Sequence, residues 1–470
     1  MKNTVKFGTD GWRATPSMGL NNKNIMICAQ SFSDYINQKN LKNQNKILIG
    51  YDTRKDSKKY AELTYKVLES NNIEAFITSR PTPTPICSFH IKNSDKIGGV
   101  IITASHNSKE WNGFKIRSGD GLSFNEKETK IIENIVDYYS NNNDKIKYKR
   151  IIKIKKLDII KAYLEAIRNI IDFDQLKKIN KTICVDYMHG SVSGILDKIL
   201  PINTRFLRGN LDHTFPNMEQ PEPILKNLTP LVNDIKDNKV SVGIAFDGDG
   251  DRLGVVDENG KFQNATDVFA ILSNHVLKKY KSSENIGTTV TMPTIIEEVA
   301  KKNKSKIFRT PVGFKNLAPL LEESKVIFAG EESGGYSIKN HVSDKDGILS
   351  ALLYLECLAT NNCKPSDLLK NIQKEFGMKS YQRIDLKFNE KDRNKVLLNL
   401  SNLHKDFSDN NSLIEVDKTD GIKFFLTNDE WVLIRESGTE PLLRIYLESP
   451  SEEQINRLKN KVLSFLEIEF

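Results

Sequence analysis

Three times along this chain an apolar, β-branched stretch runs directly into a cluster of small and polar residues. The first is Gly99-Val-Ile-Ile-Thr-Ala-Ser105-His-Asn107. The second is Val240-Ser-Val-Gly-Ile-Ala-Phe-Asp247-Gly-Asp249-Gly-Asp251-Arg252, and the third is Lys325-Val-Ile-Phe-Ala-Gly-Glu331-Glu-Ser333-Gly-Gly-Tyr336. A short apolar run of this kind suits a buried strand, and its abrupt end delivers a loop to a surface. Each is preceded by an earlier strand and turn that lead into a helical pattern. Lys46–Tyr51 leads through DTRKDS into a helix over 58–70, and Lys181–Asp186 leads through YMHGS into a helix onset near Val192. Asn285–Thr291 leads to Pro293, placed to start a helix that runs to Lys302. Three copies of one plan predict an α/β fold class with three similar mixed α/β domains.

From about Ser380 the pattern changes. YQRIDLKF, a helical stretch near 391–404 and GIKFFLTNDEWVLIRESGTEPLLRIYLE read as a C-terminal α+β domain with antiparallel strands. A last helix follows Ser451, whose Ser-Glu-Glu-Gln spacing makes a capping box. Boundaries fall after the Asn-rich YYSNNND, after the turn DENG and after a Phe-Gly pair. They give domains 1–150, 151–260, 261–378 and 379–470. The one dense basic segment, Lys145–Lys156, alternates lysine with isoleucine and reads as a short exposed strand guarded by charge, in preference to a targeting patch.

A net charge of +8, spread as lysine without interleaved aromatics, argues for solubility and against nucleic acid as a partner. Five dispersed cysteines without a CxxC pair argue for reduced thiols. The N-terminal MKNTVKFGTDGWR lacks the apolar segment of a secretory signal, and no run reaches the roughly 20 apolar residues of a membrane span. The expectation is a soluble, cytoplasmic protein with no membrane partner.

The loops carry the chemistry. Ser105 at a strand end, with His106 and Asn107 beside it and Lys115 ten residues on, could carry a phosphoryl group; alone, the same string is a polar turn. Asp247, Asp249 and Asp251 stand at alternate positions between glycines and can turn onto one hard divalent cation. A calcium loop of the EF-hand type would place Glu258 at its twelfth position. It would also need glycine where Arg252 stands and helices where the flanks read as strands. Glu331-Glu-Ser333-Gly-Gly335 suits polyol hydroxyls through charge-assisted bonds, or is a solvated turn. Arg435-Glu-Ser437-Gly438-Thr439, with Arg444 following, can aim N–H groups, hydroxyls and guanidinium at an anion; the alternative is a plain β-turn. Gly8–Arg13, Asp52, Arg54 and Thr310–Lys315 add polar turns that are more often structural. Arg80-Pro-Thr-Pro-Thr-Pro85 reads as a stiff connector.

Taken in order, FGTDGWR, TASHN with NGFK, DGDGDR, GEESGG and RESGTEP resemble the α-D-phosphohexomutase superfamily, the phosphoglucomutases, phosphomannomutases and phosphoglucosamine mutases. The resemblance runs from residue 7 to the C-terminus and implies four domains around one central cleft, each contributing a loop. It further implies that Ser105 is the phosphorylated serine and that Asp247, Asp249 and Asp251, with that phosphoserine, hold Mg2+. Arg13, Lys115 and Arg252 match basic residues near the moving phosphoryl group, with Lys115 ahead of Arg13 as general acid/base and His106 beside them. Glu331 and Ser333, with Lys315 nearby, match the sugar loop. Arg435, Ser437, Gly438, Thr439 and Arg444 match the grip on the substrate's own phosphate. Two departures stand out: Ser108, where proline commonly follows, and Gly335, where several relatives carry histidine. The second removes a catalytic histidine there and points toward glucose.

The expected activity is therefore interconversion of hexose 1- and 6-phosphates, glucose first, through a phosphoserine and a hexose 1,6-bisphosphate that serves as intermediate and activator. A phosphomannomutase or phosphoglucosamine mutase is the alternative; a metal-dependent sugar phosphatase or a silent sugar-phosphate-binding protein stands further off. Small hexose phosphates are the expected partners, and the chain is expected to be a monomer or dimer.

Overall fold

A computed structural model describes residues 4–8, 10–39, 46–179, 181–201, 203–281, 283–389, 391, 393–410, 412–436 and 442–466. Its strands form four sheets. In the first, Lys46–Tyr51 lies parallel to both Glu74–Thr78 and Gly98–Ile102, and Gly98–Ile102 runs antiparallel to Asn112–Ser118. Trp12–Ala14 and the short Lys156–Leu157 complete its two edges. The second sheet repeats the arrangement with Ile183–Asp186 between Thr204–Leu207 and Val242–Phe246, the latter antiparallel to Leu253–Asp257. The third does so with Asn285–Thr289 between Ile307–Thr310 and Val326–Gly330, the latter antiparallel to Tyr336–Ile338. In all three, the turn between a buried parallel strand and its antiparallel neighbour carries one of the polar loops. The fourth sheet is wholly antiparallel, in the order Ser380–Lys387, Leu442–Ser449, Glu430–Glu436, Ile422–Leu426, Leu413–Asp417.

Strands Gly98–Ile102, Val242–Phe246 and Val326–Gly330 are buried at every residue, as expected where helices cover both faces of a sheet. One apolar core runs continuously from Leu48 through Tyr163, Phe246, Phe269 and Phe328 to Phe376, and so joins the first three units. The fourth unit has a core of its own, including Leu403, Phe424, Ile445 and Val462. It meets the third through Thr294, whose N–H donates to Glu448 at 2.8 Å, and through Lys423 Nζ, which donates to the Val290 carbonyl at 2.9 Å. The closing helix Glu452–Leu466 starts after Ser451 as its sequence predicts and shows half of the expected box: Gln454 N–H donates to Ser451 Oγ at 3.2 Å, while the Gln454 side chain accepts from the Ser451 hydroxyl at 3.0 Å.

Two local expectations fail. No helix begins near Val192: turns lead to a single 3₁₀ turn at Leu196–Lys198. The small residues there bond otherwise: Ser191 N–H donates across the chain to the Gly248 carbonyl at 3.0 Å, and Ser193 Oγ turns back locally onto the Gly190 carbonyl at 2.9 Å. Nor is Lys145–Lys156 a strand beyond its last residue. Three of its backbone N–H groups go to side chains, Lys147 to Gln30, Lys149 to Ser70 and Lys155 to Tyr65, in place of a regular ladder. Ile146, Ile151 and Ile154 pack on the first unit's core while Ile152 remains 88% exposed. All five cysteines are free thiols. Among the described residues no helix is long and apolar enough to cross a membrane.

Candidate active site

The strand Gly98–Ile102 ends at Thr103, whose hydroxyl accepts from the N–H of Ser105 at 2.8 Å. Ser105 then turns through φ 53°, a left-handed conformation that a non-glycine residue adopts only where its surroundings enforce it. Arg54 supplies that enforcement. Its guanidinium donates to the carbonyls of Ser105 at 2.6 Å, Asn107 at 2.5 Å, Ser108 at 2.6 Å and Trp111 at 3.1 Å. It is itself held by Asp52 at 3.1 Å, both side chains fully buried. The serine is thus aimed by a turn fifty residues upstream.

Its Oγ donates to Asp247 Oδ2 at 2.9 Å, joining the first unit's loop to the second's. The other oxygen of Asp247 accepts the N–H groups of Asp251 at 2.9 Å and Arg252 at 3.1 Å, which closes the loop on itself. Gly250, at φ 73°, makes the turn; a Cβ there would meet Val192 at 2.5 Å. Asp247, Asp249 and Asp251 are buried and each offers an oxygen within 4.8 Å of the others. Burial, with Asp251 and Asp249 beside it, lifts the Asp247 carboxyl well above the usual carboxylate range. Asp249 Oδ1 and Asp251 Oδ1 are buried without a hydrogen-bond donor among the described residues, while Asp251 Oδ2 faces the Lys345 ammonium. Three clustered carboxylates with spare, inward oxygens are the donor set a hard divalent cation such as magnesium requires.

Cations already surround them. Lys115 Nζ lies 2.8 Å from Asp10 and 2.9 Å from Asp249, with no exposure of its side chain. Burial opposes its charge, but Asp10, Asp249 and Asp251 outweigh that and hold the ammonium above its ordinary value. Lys345 reaches from the third unit to Asp251 at 2.9 Å. Arg117 donates to Asp10 at 2.9 Å and pairs with Asp344 at 3.1 Å, so the N-terminal turn and the third unit share one cation. Arg13 donates to Asn107 at 2.9 Å, and Arg252 to Glu222 at 2.6 Å. His106 lies between Ser105 Oγ at 3.4 Å and Arg252 at 3.5 Å; burial, then Arg252, Arg13 and Lys345, push its ring well below the usual imidazole range.

Four family models cover nearly the whole chain: phosphoglucomutase/phosphomannomutase alpha/beta/alpha domain I over 4–143, domain II over 161–260, domain III over 264–376 and the C-terminal domain over 386–464. A phosphoglucosamine mutase of Methanocaldococcus jannaschii is 31% identical over 89% of this chain and 91% of its own. The chain belongs to the phosphoglucomutase/phosphomannomutase family. A phosphoglucomutase/phosphomannomutase of Thermococcus kodakarensis is 29% identical over 98% of both chains. A solved Thermus thermophilus structure assigned as a phosphomannomutase superposes with a TM-score of 0.85 at 25% identity, covering all of both chains. The four-domain α/β architecture of the α-D-phosphohexomutases is therefore this chain's fold, and its reaction class is theirs: an isomerase that moves a phosphoryl group.

Against that family frame, the structure gathers Ser105, His106, Arg13, Lys115, the three aspartates and Arg252 into one cluster. Glu331 faces the same region from the third unit. Its carboxylate accepts the N–H of Gly313 at 2.9 Å, and burial lifts it to about 7, with Lys345 opposing and Glu332 adding. Ser333 stands half-buried in the turn beside it. Glu332, in contrast, is taken up by Thr291 at 2.7 Å and Tyr446 at 3.2 Å. Lys315 stands apart, paired with Glu126 of the first unit at 3.2 Å. Arg435 and Arg444 lie directly across from each other on neighbouring strands, with Arg435 paired to Asp420 at 2.8 Å. The Nε atoms of both are buried without an acceptor among the described residues, as a site for an anion would leave them. Ser437, Gly438 and Thr439 lie outside the described residues.

The sequence reading missed Lys345, Arg117, Asp10 and Asp344 and left Arg54 as a structural turn. The departure at Gly335 is tied to Lys345, a link visible only in the structure. A Cβ on Gly335, the position that departs from relatives carrying histidine, would meet the Lys345 side chain at 2.3 Å. The lysine occupies the space that the glycine leaves.

Proposed function

We propose that this protein interconverts hexosamine or hexose 1- and 6-phosphates through a phosphorylated Ser105. Glucosamine phosphate leads as substrate, with mannose phosphate next. The observation that carries the serine's role is its 2.9 Å contact with Asp247, in a left-handed turn enforced by Arg54. The substrate order departs from the glucose expected of the sequence, because the relatives named above are a phosphoglucosamine mutase and a phosphoglucomutase/phosphomannomutase.

In this reading the four units, 1–150, 151–260, 261–378 and 379–470, each supply one loop. Arg435 and Arg444 grip the phosphate that stays, Glu331 and Ser333 hold sugar hydroxyls, and the free hydroxyl of the substrate faces phospho-Ser105. That hydroxyl's oxygen forms a bond to phosphorus as the Ser105 Oγ–phosphorus bond breaks, giving a hexose 1,6-bisphosphate. The sugar's proton is taken up within the cluster and Ser105 Oγ regains one. The bisphosphate turns over, and its other phosphoryl returns to Ser105. Lys115, held charged by its aspartates, is poised to donate a proton to the departing oxygen, with Arg13 and Arg252 as countercharges. A magnesium ion on Asp247, Asp249 and Asp251 would neutralise charge on the phosphoryl oxygens.

Turnover of glucosamine, mannose and glucose 1-phosphates, each with and without its 1,6-bisphosphate, tests the reading. Bisphosphate-stimulated conversion, fastest with glucosamine, is the expected outcome. Release of inorganic phosphate in place of the 6-phosphate would make the protein a phosphatase. A clear glucose preference would restore the sequence-based order.

A further inference from the structure

In the run Arg80-Pro-Thr-Pro-Thr-Pro85, which reads as a connector, Pro83 and Thr84 lie against the aspartate loop. Thr84 opens the helix Thr84–Lys92 and is 1% exposed. Its N–H donates to the Asp249 carbonyl at 2.9 Å, and its hydroxyl donates to Asp249 Oδ2 at 2.6 Å. These two bonds cross from the first unit to the second. Pro83 supports the same place, since a Cβ on Gly250 would meet its Cβ at 3.2 Å. Asp249 Oδ2 also accepts from Lys115 Nζ at 2.9 Å, whereas Oδ1 is buried without a donor among the described residues.

We propose that Thr84 is a positioning residue for the cation site: with Lys115 it commits Asp249 Oδ2 to the protein and so presents Oδ1 to the cation. The inference rests on reading the three aspartates as that site. A carboxylate with two donors on one oxygen cannot rotate without breaking both bonds, so its second oxygen is fixed in direction. A hydroxyl suits this task better than a second ammonium, because it orients the carboxylate without cancelling the charge that attracts the cation. Groups that orient a metal ligand from behind are worth about 10–100-fold in metal affinity.

Thr84→Val keeps the branched shape and the backbone bond and removes only the hydroxyl; Thr84→Ser keeps the donor. Each full-length protein is titrated with Mn2+ while free Mn2+ is followed by electron paramagnetic resonance, and Mg2+ is then added in competition. The expected result is a 10–100-fold rise in the Mn2+ dissociation constant for the valine variant, with serine restoring most of the affinity. Metal-free melting curves check that each variant folds, and Thr84→Ala provides the same test if valine does not. Valine and alanine variants that bind Mn2+ as tightly as the wild type would overturn the role of Thr84 and leave the aspartate site standing. A folded wild type that binds neither ion would overturn both.

Discussion

Lys345→Met tests whether the third unit's lysine is a structural counter-ion of the aspartate loop. Methionine keeps an unbranched stem to pack against Gly335 and removes the charge 2.9 Å from Asp251, whose own side chain is 1% exposed. Without that ammonium, Asp251 keeps, among the described residues, only the longer approaches of Lys115 and Arg252, each at 4.0 Å, to offset its burial. Lys345 also acts on Asp10, Glu331 and Asp344, opposing the burial of each. Removing one partner of a buried ion pair costs about 3–5 kcal/mol. At roughly 2.1 cal/mol/K per residue, a cooperative unit made of the first three units has an unfolding entropy of about 0.8 kcal/mol/K, so the lower figure is a fall of about 4 °C in melting temperature. Calorimetry in chelator should show that fall in the transition of the first three units, which share a core. Magnesium should then stabilise the variant more than the wild type, because a cation competes with no ammonium for Asp251; occupancy at 100 times the dissociation constant is worth about 2.7 kcal/mol. A variant that melts within about 2 °C of wild type in chelator, at most half the expected shift, would refute the reasoning.

The remaining predictions concern the loops and the far interface. Ser105→Ala should fold normally and lose nearly all mutase activity, and intact-mass spectrometry should find one phosphate on the wild type and none on the variant. Arg435→Ala should chiefly raise KM, since a phosphate gripped throughout the reaction is uniform binding; a fall in kcat at constant KM would contradict that. Chelation should abolish turnover and magnesium restore it, with calcium a poor replacement because it prefers more ligands at longer distance. Burial pushes Lys423 down to about 7 from its ordinary 10.5, with Arg309 adding, though it sits 3.7 Å over the Trp431 ring. Between those values the unfolded chain holds the extra proton, so this group's contribution to stability rises with pH from about 7 toward 10. The wild type should therefore gain on Lys423→Met over that interval, and parallel stability curves would rule the titration out.

Much of this fold is local in origin and was therefore readable. Gly98–Ile102, Val242–Phe246 and Val326–Gly330 announce themselves by short-range composition, and their polar ends mark where the loops emerge. The failures occurred where distant groups took over the local chemistry. Ser191 and Ser193 read as a helix onset because nothing nearby shows that Gly248, more than fifty residues on, will accept a bond from Ser191. In Lys145–Lys156 the alternation was real, but Gln30, Ser70 and Tyr65 satisfy its backbone in place of a neighbouring strand.

The site divides in the same way. Ser105 and the three aspartates were legible because their spacing is itself the geometry: alternate carboxylates between glycines can converge without help from elsewhere. Burying three carboxylates together does imply that cations stand nearby, since unpaired buried charge is too costly to persist. What the sequence withholds is which of 69 lysines and arginines they are. Asp344-Lys345-Asp346 looks like a solvated turn. It is buried because each of its side chains is claimed by a different element: Asp344 by Arg117, Lys345 by Asp251, and Asp346 by Tyr163 at 2.8 Å and His341 at 2.8 Å. Arg117 and Asp251 come from the first two units, and Tyr163 from the helix Ile160–Ile167. Only the convergence of units makes that turn interior, so its lysine becomes recognisable as a counter-ion only when the assembled site is in view.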